Sequence, residues 1–253
     1  MERDVIEIAA EDLAIGYGSY VVLADLTFEV RRGDIFVIMG GSGSGKSTLL
    51  RSLIGLDAPL GGQIRHRDLS LTHGSAEDRD QIQRRFGVLF QSGALWSSMT
   101  LEENVRLPME EIAGLGTDDA RALARIKLAL VGLRGFEGLY PSQLSGGMQK
   151  RAALARAIAL DPELLFLDEP SAGLDPPTTR RIDELILELR ESLGVTIVVV
   201  THELSSIFRI ATNGILIDAA SRSIIARGHP FEMRRAPDLR VRDFLGRGAE
   251  EAA

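Results

Sequence analysis

The run Gly40-Gly41-Ser42-Gly43-Ser44-Gly45-Lys46-Ser47-Thr48 constrains the fold of this chain more than any other stretch. It matches G-x-x-x-x-G-K-[ST] with one further threonine, a motif that needs a strand before it and a helix after it. Ile35-Phe36-Val37-Ile38-Met39 reads as a short buried strand, and Leu49-Leu50-Arg51-Ser52-Leu53-Ile54 reads as a helix. Glycines let successive backbone N–H groups turn inward around phosphate oxygens, and the helix start adds its positive end to the same spot. Lys46 would reach the β- and γ-phosphates and the Ser47 hydroxyl would ligate Mg²⁺. The plainer alternative, a flexible Gly/Ser linker, has no reason to end in Lys-Ser-Thr between a strand and a helix. The stretch is therefore read as a nucleoside triphosphate site.

Other strand ends carry polar groups suited to the same chemistry. Phe86-Gly87-Val88-Leu89-Phe90 is strand-like and ends at Gln91, which is either a sensor reaching Mg²⁺ or the attacking water, or an ordinary residue opening a loop. Leu164-Leu165-Phe166-Leu167 closes on Asp168 and Glu169, and two adjacent acids capping a buried strand are costly without a cation nearby. Asp168 would hold Mg²⁺ and Glu169 would act as general base on water. Residues 195–200 form an apolar strand ending at Thr201-His202, where parallel sheets place their ligands, so His202 is placed to hydrogen-bond a γ-phosphate. In Leu144-Ser145-Gly146-Gly147-Met148-Gln149, a serine and two glycines at a helix start make a second phosphate cradle. With one P-loop per chain, a second cradle suggests that two chains share each nucleotide.

Residues 5–15 and 21–30 read as an antiparallel pair joined by a turn at Gly16-Tyr17-Gly18-Ser19. Tyr17 either stacks on a purine base or packs the turn. Residues 66–83 are polar and read as a surface excursion with little core content. Thr100 is read as the cap of a helix beginning at Leu101. Trp96 and Met99 lie in a Gly/Ser-rich loop, either as a docking surface or half-buried. Residues 118–133 read as an amphipathic helix with Ala122, Ile126, Ala129, Leu130 and Leu133 on one face. Ser171-Ala172-Gly173-Leu174-Asp175 and two prolines form a turn before a helix whose apolar face is Ile182, Leu185, Ile186 and Leu189.

At 253 residues the chain suits one large α/β domain, and its net charge of −7 argues against broad capture of nucleic acid. With no cysteine, disulfides and thiolate metal sites are excluded. The charged first residues show no export signal, the last four are expected to fray, and no apolar run approaches the roughly 18 to 20 residues needed to span a bilayer. A membrane role would come through a partner.

Together these motifs resemble the ATP-binding cassette (ABC) ATPases from about residue 5 to residue 235. The resemblance implies a P-loop α/β fold: a mostly parallel RecA-like core with an antiparallel β-subdomain (1–94 and 161–230), a helical subdomain (95–160) and a C-terminal helical tail (231–253). It implies ATP and Mg²⁺ as cofactors, Tyr17 as adenine-stacking aromatic, Gly40 to Thr48 as Walker A, and Gln91 as Q-loop. It further implies Ser145, Gly146 and Gly147 as signature residues, Asp168 as Walker B, Glu169 as catalytic glutamate, Asp175 in the D-loop and His202 as switch histidine. A head-to-tail homodimer follows, with Ser145 and Gly147 of one chain closing on the γ-phosphate held by Lys46 of the other. Met148 departs from the family's usual glutamine. The Gln91 to Thr100 loop and the Ser145-Gly146-Gly147-Met148 variant look like the ATPases of Mla and Mce-type lipid transporters. That implies an integral-membrane permease, MCE-domain and small STAS-domain partners, and a peripheral place on the cytoplasmic side of the inner membrane.

Overall fold

The computed structural model describes residues 5–246. The charged chain start and the frayed end expected at 250–253 lie outside the described residues. Strands β1 (Ile6–Tyr17) and β2 (Tyr20–Arg31) form the expected antiparallel hairpin, but Tyr17 closes β1 opposite Tyr20 instead of lying in the turn. Gly18 takes the positive φ of 57° that so tight a connection needs. β4 (Gly61–His66) pairs with the other edge of β1, and β5 (Leu69–Ser70) pairs with β4. The stretch expected to carry little core content buries His66, Leu71 and Ile82 and forms α2 (Ala76–Gln83), whose Ser75 and Asp78 make a capping box. Single apolar residues between polar neighbours give no periodic signal, and His66 is satisfied by the Leu53 carbonyl at 2.9 Å.

The second sheet contains β3 (Ile35–Gly40), β6 (Phe86–Leu89), β7 (Leu164–Asp168), β8 (Thr196–Thr201), β9 (Asn213–Asp218) and β10 (Ser223–Arg227). Their order is β10-β9-β3-β8-β7-β6, and all but β10 run parallel. Both faces are covered, so alternate residues of one strand enter different cores. Phe36, Ile38, Phe166, Val198 and Val200 pack with the antiparallel sheet and with α1 (Lys46–Leu53), whereas Val37, Met39, Leu165, Leu167 and Val199 pack with helices on the other side.

Those helices include α3 (Leu101–Glu111), α4 (Thr117–Leu130) and α5 (Gly146–Ala157), with α3 against both others, and α6 (Pro176–Leu193) and α7 (Leu204–Ile210) against each other. Thr100 caps α3 in a capping box with Glu103, as its sequence requires. Pro176 and Pro177 occupy the first turn of α6, where a missing N–H costs nothing. Ile182, Leu185, Ile186 and Leu189 are all buried, as expected. In α4 the expected face is partly right: Leu133, just past the helix end, is buried and Ala129 is half-buried, but the other three expected residues are exposed. Ala120, Ala124 and Leu128 are buried, while Ala122, Ile126 and Leu130 face solvent. Close approach to α3 and α5 selects the row with small residues, and hydrophobicity counting weights the larger row. Short helices α8 (Pro230–Met233) and α9 (Leu239–Gly246) finish the described chain.

Candidate nucleotide site

Register brings the sequence motifs together. Met39 of β3 lies opposite Thr201 of β8, Val200 lies opposite Asp168 of β7, and Leu167 lies opposite Leu89 of β6. Four neighbouring parallel strands therefore end in line, and the chain leaves them at Gly40, His202, Glu169 and, two residues past β6, Gln91. This is the carboxyl edge where such sheets hold ligands.

The glycine loop fits only glycine at its two ends. A Cβ on Gly40 would lie 2.6 Å from the Ile217 carbonyl oxygen, and Gly45 has φ 94° with Val22 packed 2.8 Å from where its Cβ would be. Gly41, Ser42 and Gly43 are exposed along the loop. Lys46 is buried and donates to the carbonyl oxygens of Gly40 and Gly41 at 2.9 and 2.8 Å. Burial pulls its ammonium below the ordinary lysine range, against the charges of Glu169 and Asp168. The Ser47 hydroxyl donates to Asp168 Oδ1 at 3.0 Å. Burial, helped by the neighbouring Glu169 charge, raises the Asp168 carboxyl above the usual range, while Ser47, Lys46 and Lys150 pull it back.

Glu169 is 6% exposed and sits at φ 47°, the left-handed region that side-chain-bearing residues avoid. Its Oε1 meets His202 Nδ1 at 2.7 Å, and its Oε2 is buried without a hydrogen-bond partner, as is Ser44 Oγ in the P-loop. Native folds leave few buried polar atoms orphaned, so two at one site mark a place built for a further polar group. The Ser47 hydroxyl and the Asp168 carboxylate it meets are hard oxygen donors that suit Mg²⁺, and the orphaned Glu169 Oε2 next along the chain is left free to meet water.

Tyr17 reaches this loop, its hydroxyl 3.4 Å from Thr48 Oγ1. Three groups of expected site residues are not joined to it. Among the described residues, no hydrogen bond links Ser145, Gly146 or Gly147 to the P-loop. Ser145 caps α5, accepting from the Met148 N–H at 3.3 Å, and a Cβ on Gly147 would lie 2.4 Å from Thr178. The Met148 side chain packs on the helical core, and the Gln149 amide donates to the Pro141 and Leu144 carbonyls. Asp175 caps α6, with Thr178 Oγ1 donating to it at 2.6 Å. The Gln91 side chain is exposed, and its backbone carbonyl accepts from Lys150. Lys150 was not singled out in the sequence, because a lysine in an alanine-rich helix reads as solvated and its partners lie far along the chain.

A model of the ABC transporter family matches residues 23–172. The chain belongs to the ABC transporter family. It is 40% identical to the Haemophilus influenzae intermembrane phospholipid transport system ATP-binding protein MlaF, over 97% of this chain and 91% of that one. It is also 40% identical over 79% of its length to the Mycobacterium tuberculosis probable ribonucleotide transport ATP-binding protein mkl, of which it covers 56%. Among solved structures, a dimeric ABC cassette, MJ0796 bound to ADP and Pi in a post-hydrolysis state, superposes with TM-score 0.78 at 29% identity, covering 87% of this chain and 97% of that one. The cbiO1 cassette of the Clostridium perfringens ABC transporter complex cbiONQ gives 0.82 at 27% identity, covering 90% of each chain. The fold is thus the P-loop cassette, and this ABC protein binds and hydrolyses ATP. No helix among its described residues is long and apolar enough to cross a membrane. Between β6 and α3 the cassette carries an apolar groove of about 370 Å³ lined by Phe86, Val88, Leu107, Pro108 and Ile112, with Arg156 at its edge. Trp96, in the loop before α3, is 57% exposed.

Proposed function

We propose that this ATPase works as a head-to-tail homodimer that powers movement of phospholipid, or another hydrophobic lipid, through a separate integral-membrane permease. The cargo reading is supported by the near-full-length similarity to proteins named for intermembrane phospholipid transport. The dimer is supported by Ser145 and Gly146, which are exposed at a helix start with no hydrogen bond to the chain's own P-loop, and by the dimeric solved relatives. Ser145, Gly146, Gly147 and Asp175 then complete the partner's site.

The observation that carries the hydrolytic mechanism is the Glu169 carboxylate, with one oxygen on His202 and the other buried and orphaned. Water attacks the γ-phosphorus, Glu169 Oε2 takes its proton, and the bond to the β-phosphate oxygen breaks to release ADP and phosphate. Lys46 exchanges the Gly40 and Gly41 carbonyls for phosphate oxygens, the backbone from Gly41 to Thr48 cradles the rest, and Tyr17 stacks on the adenine. Ser47, Asp168 and Gln91 hold Mg²⁺, which when bound neutralises charge on the β- and γ-phosphates. His202 Nδ1 is engaged by Glu169 Oε1, which leaves Nε2 as the ring nitrogen available to a γ-phosphate.

The groove beside β6 and the exposed Trp96, with Met99 near it, receive the permease on the cytoplasmic side of the inner membrane. MCE-domain and STAS-domain proteins complete the complex. The test captures the tagged native protein from detergent-solubilised membranes and identifies co-purifying chains and lipids by mass spectrometry. A multi-spanning permease carrying phospholipid is expected. A permease served by a solute-binding protein, or one carrying ribonucleotide, overturns the lipid reading, and no membrane partner overturns transport. In the same preparation Glu169→Gln should keep ATP affinity within about twofold and lose about a hundredfold or more in hydrolysis.

A further inference from the structure

Helix α5 carries three cations that donate to backbone carbonyls: Arg151 holds those of Val131 and Gly132, and the other two reach the loop after β6. Lys150 Nζ donates to the carbonyl oxygen of Gln91 and, at 3.1 Å, to that of Glu169. Arg156 donates to the carbonyl oxygens of Gly93 and Ala94 at 3.0 and 2.7 Å. One helix therefore grips both ends of the 91–94 loop, and Lys150 alone also touches the residue bearing the orphaned carboxylate. Burial pulls the Lys150 ammonium below the ordinary lysine range, opposed by the charges of Asp168 and Glu169. A lysine is not desolvated in this way by a solvated helix face.

The two ends of the Glu169 peptide are held by different parts of the molecule. Its N–H donates to Val200 O in β8 at 2.9 Å, and its C=O accepts from Lys150 as well as from the Ala172 N–H at 3.3 Å. Its φ of 47° persists only where surrounding contacts hold it. Lys150 lies five residues beyond the Ser145 cap, about 7 Å along the axis. A shift or tilt of the signature end of α5 is thus delivered over a short rigid lever.

We propose that Lys150 is a positioning residue for hydrolysis: it holds the Glu169 backbone in the conformation that presents the carboxylate, and it ties that conformation and the start of the 91–94 loop to the signature helix. The proposal rests on Glu169 acting as general base and on the head-to-tail dimer. In that dimer the cap of α5 faces the partner's nucleotide while Lys150 faces the chain's own catalytic site. ATP bound at one site therefore sets the geometry of the carboxylate at the other, and the two sites hydrolyse cooperatively.

The test compares Lys150→Met, which keeps the aliphatic stem and loses the donors, with Lys150→Arg, which keeps donors, in the full-length protein. Thermal midpoint, ATP affinity, kcat and the Hill coefficient for ATP are read together. Lys150→Met should lower kcat about tenfold or more, leave ATP affinity within about twofold, and bring the Hill coefficient toward one; Lys150→Arg should recover most of the loss. Wild-type kcat and cooperativity in Lys150→Met overturn the proposal. So does a joint fall of thermal midpoint and affinity that Lys150→Arg does not rescue, the mark of a merely structural lysine. If Lys150→Met does not fold, Lys150→Leu, which likewise has no donor, takes its place with the same criteria. Glu169→Gln separates the two readings. If it hydrolyses at the wild-type rate, the general base and with it the Lys150 proposal fail; if it is inactive while Lys150→Met is unimpaired, only the Lys150 proposal fails.

Discussion

Tyr17 is 55% exposed at the end of β1, with its hydroxyl only loosely bonded to Thr48. The ring is not consumed by the turn, and its position beside the start of α1 leaves a π-face open to a base. Base stacking on an aromatic is worth about 1–3 kcal/mol, so Tyr17→Ala should weaken ATP binding about tenfold with kcat little changed. Tyr17→Phe should stay within about twofold, since a long exposed hydrogen bond contributes little. Nucleotide titration of the two variants checks this, and an unchanged affinity in Tyr17→Ala removes the stacking role. Asn104 is a residue of the opposite kind. Fully buried, it accepts from the Trp96 N–H at 2.7 Å and donates to the Trp96, Met99 and Thr100 carbonyls, holding in place the loop that exposes Trp96.

Helices α6 and α7 follow the two loops that flank the catalytic edge, and Asp183 ties them. Its Oδ2 accepts from Ser206 Oγ at 3.0 Å and lies 3.5 Å from Arg209 Nε, while its Oδ1 is buried without a partner. Burial pushes the Asp183 carboxyl up to about 6, against the Ser206 hydrogen bond and the Arg209 charge. Because the folded-state value is raised, the folded chain binds the proton more tightly than the unfolded chain, for which 3.8 is the reference. Stability is then largest with the carboxyl protonated and falls as pH rises from about 4 to about 6, by about 3 kcal/mol from this group. Asp183→Asn removes that slope, so its stability should gain on wild type by this amount across the same interval. Chemical denaturation at several pH values reads the gap, and a gap that does not change with pH contradicts the assignment.

Across the whole molecule, one carboxylate joins the two sheets. Glu7 in β1 is 1% exposed and accepts from Arg32 Nε at 2.7 Å, from Arg67 Nε and Nη2 at 2.7 and 2.8 Å, and from Arg85 Nη2 at 3.3 Å. Arg67 and Arg85 also pair with Glu163, just before β7. Burial by itself raises the Glu7 carboxyl, but the hydrogen bonds and charges of Arg67 and Arg32 outweigh it and leave the group below the usual range. Removing one member of a buried charged network strands the others, so Glu7→Ala should cost about 3 kcal/mol or more. Urea unfolding of the full chain measures it, and a loss under about 1 kcal/mol shows that the arginines are rescued by water.

Much of this cassette is written locally. The glycine loop, its preceding strand, the Thr100 cap and the apolar stripe of α6 each depend on neighbours within a few residues, so backbone sterics and helical period determine them from sequence alone. The motifs at strand ends were legible for the same reason, since each needs only an apolar run and the polar residue that stops it. Tertiary structure decided the rest. It buried the row Ala120, Ala124 and Leu128 of α4 and left Ala122, Ile126 and Leu130 outside, because interhelical distance depends on which helices arrive. It buried His66, Glu7 and Asn104 among partners that local sequence does not reveal as a packed set, and it turned Lys150 inward onto carbonyls 59 and 19 residues away. Hydrogen bonds and ion pairs of that span form only after the chain has closed, and no local period or propensity records them.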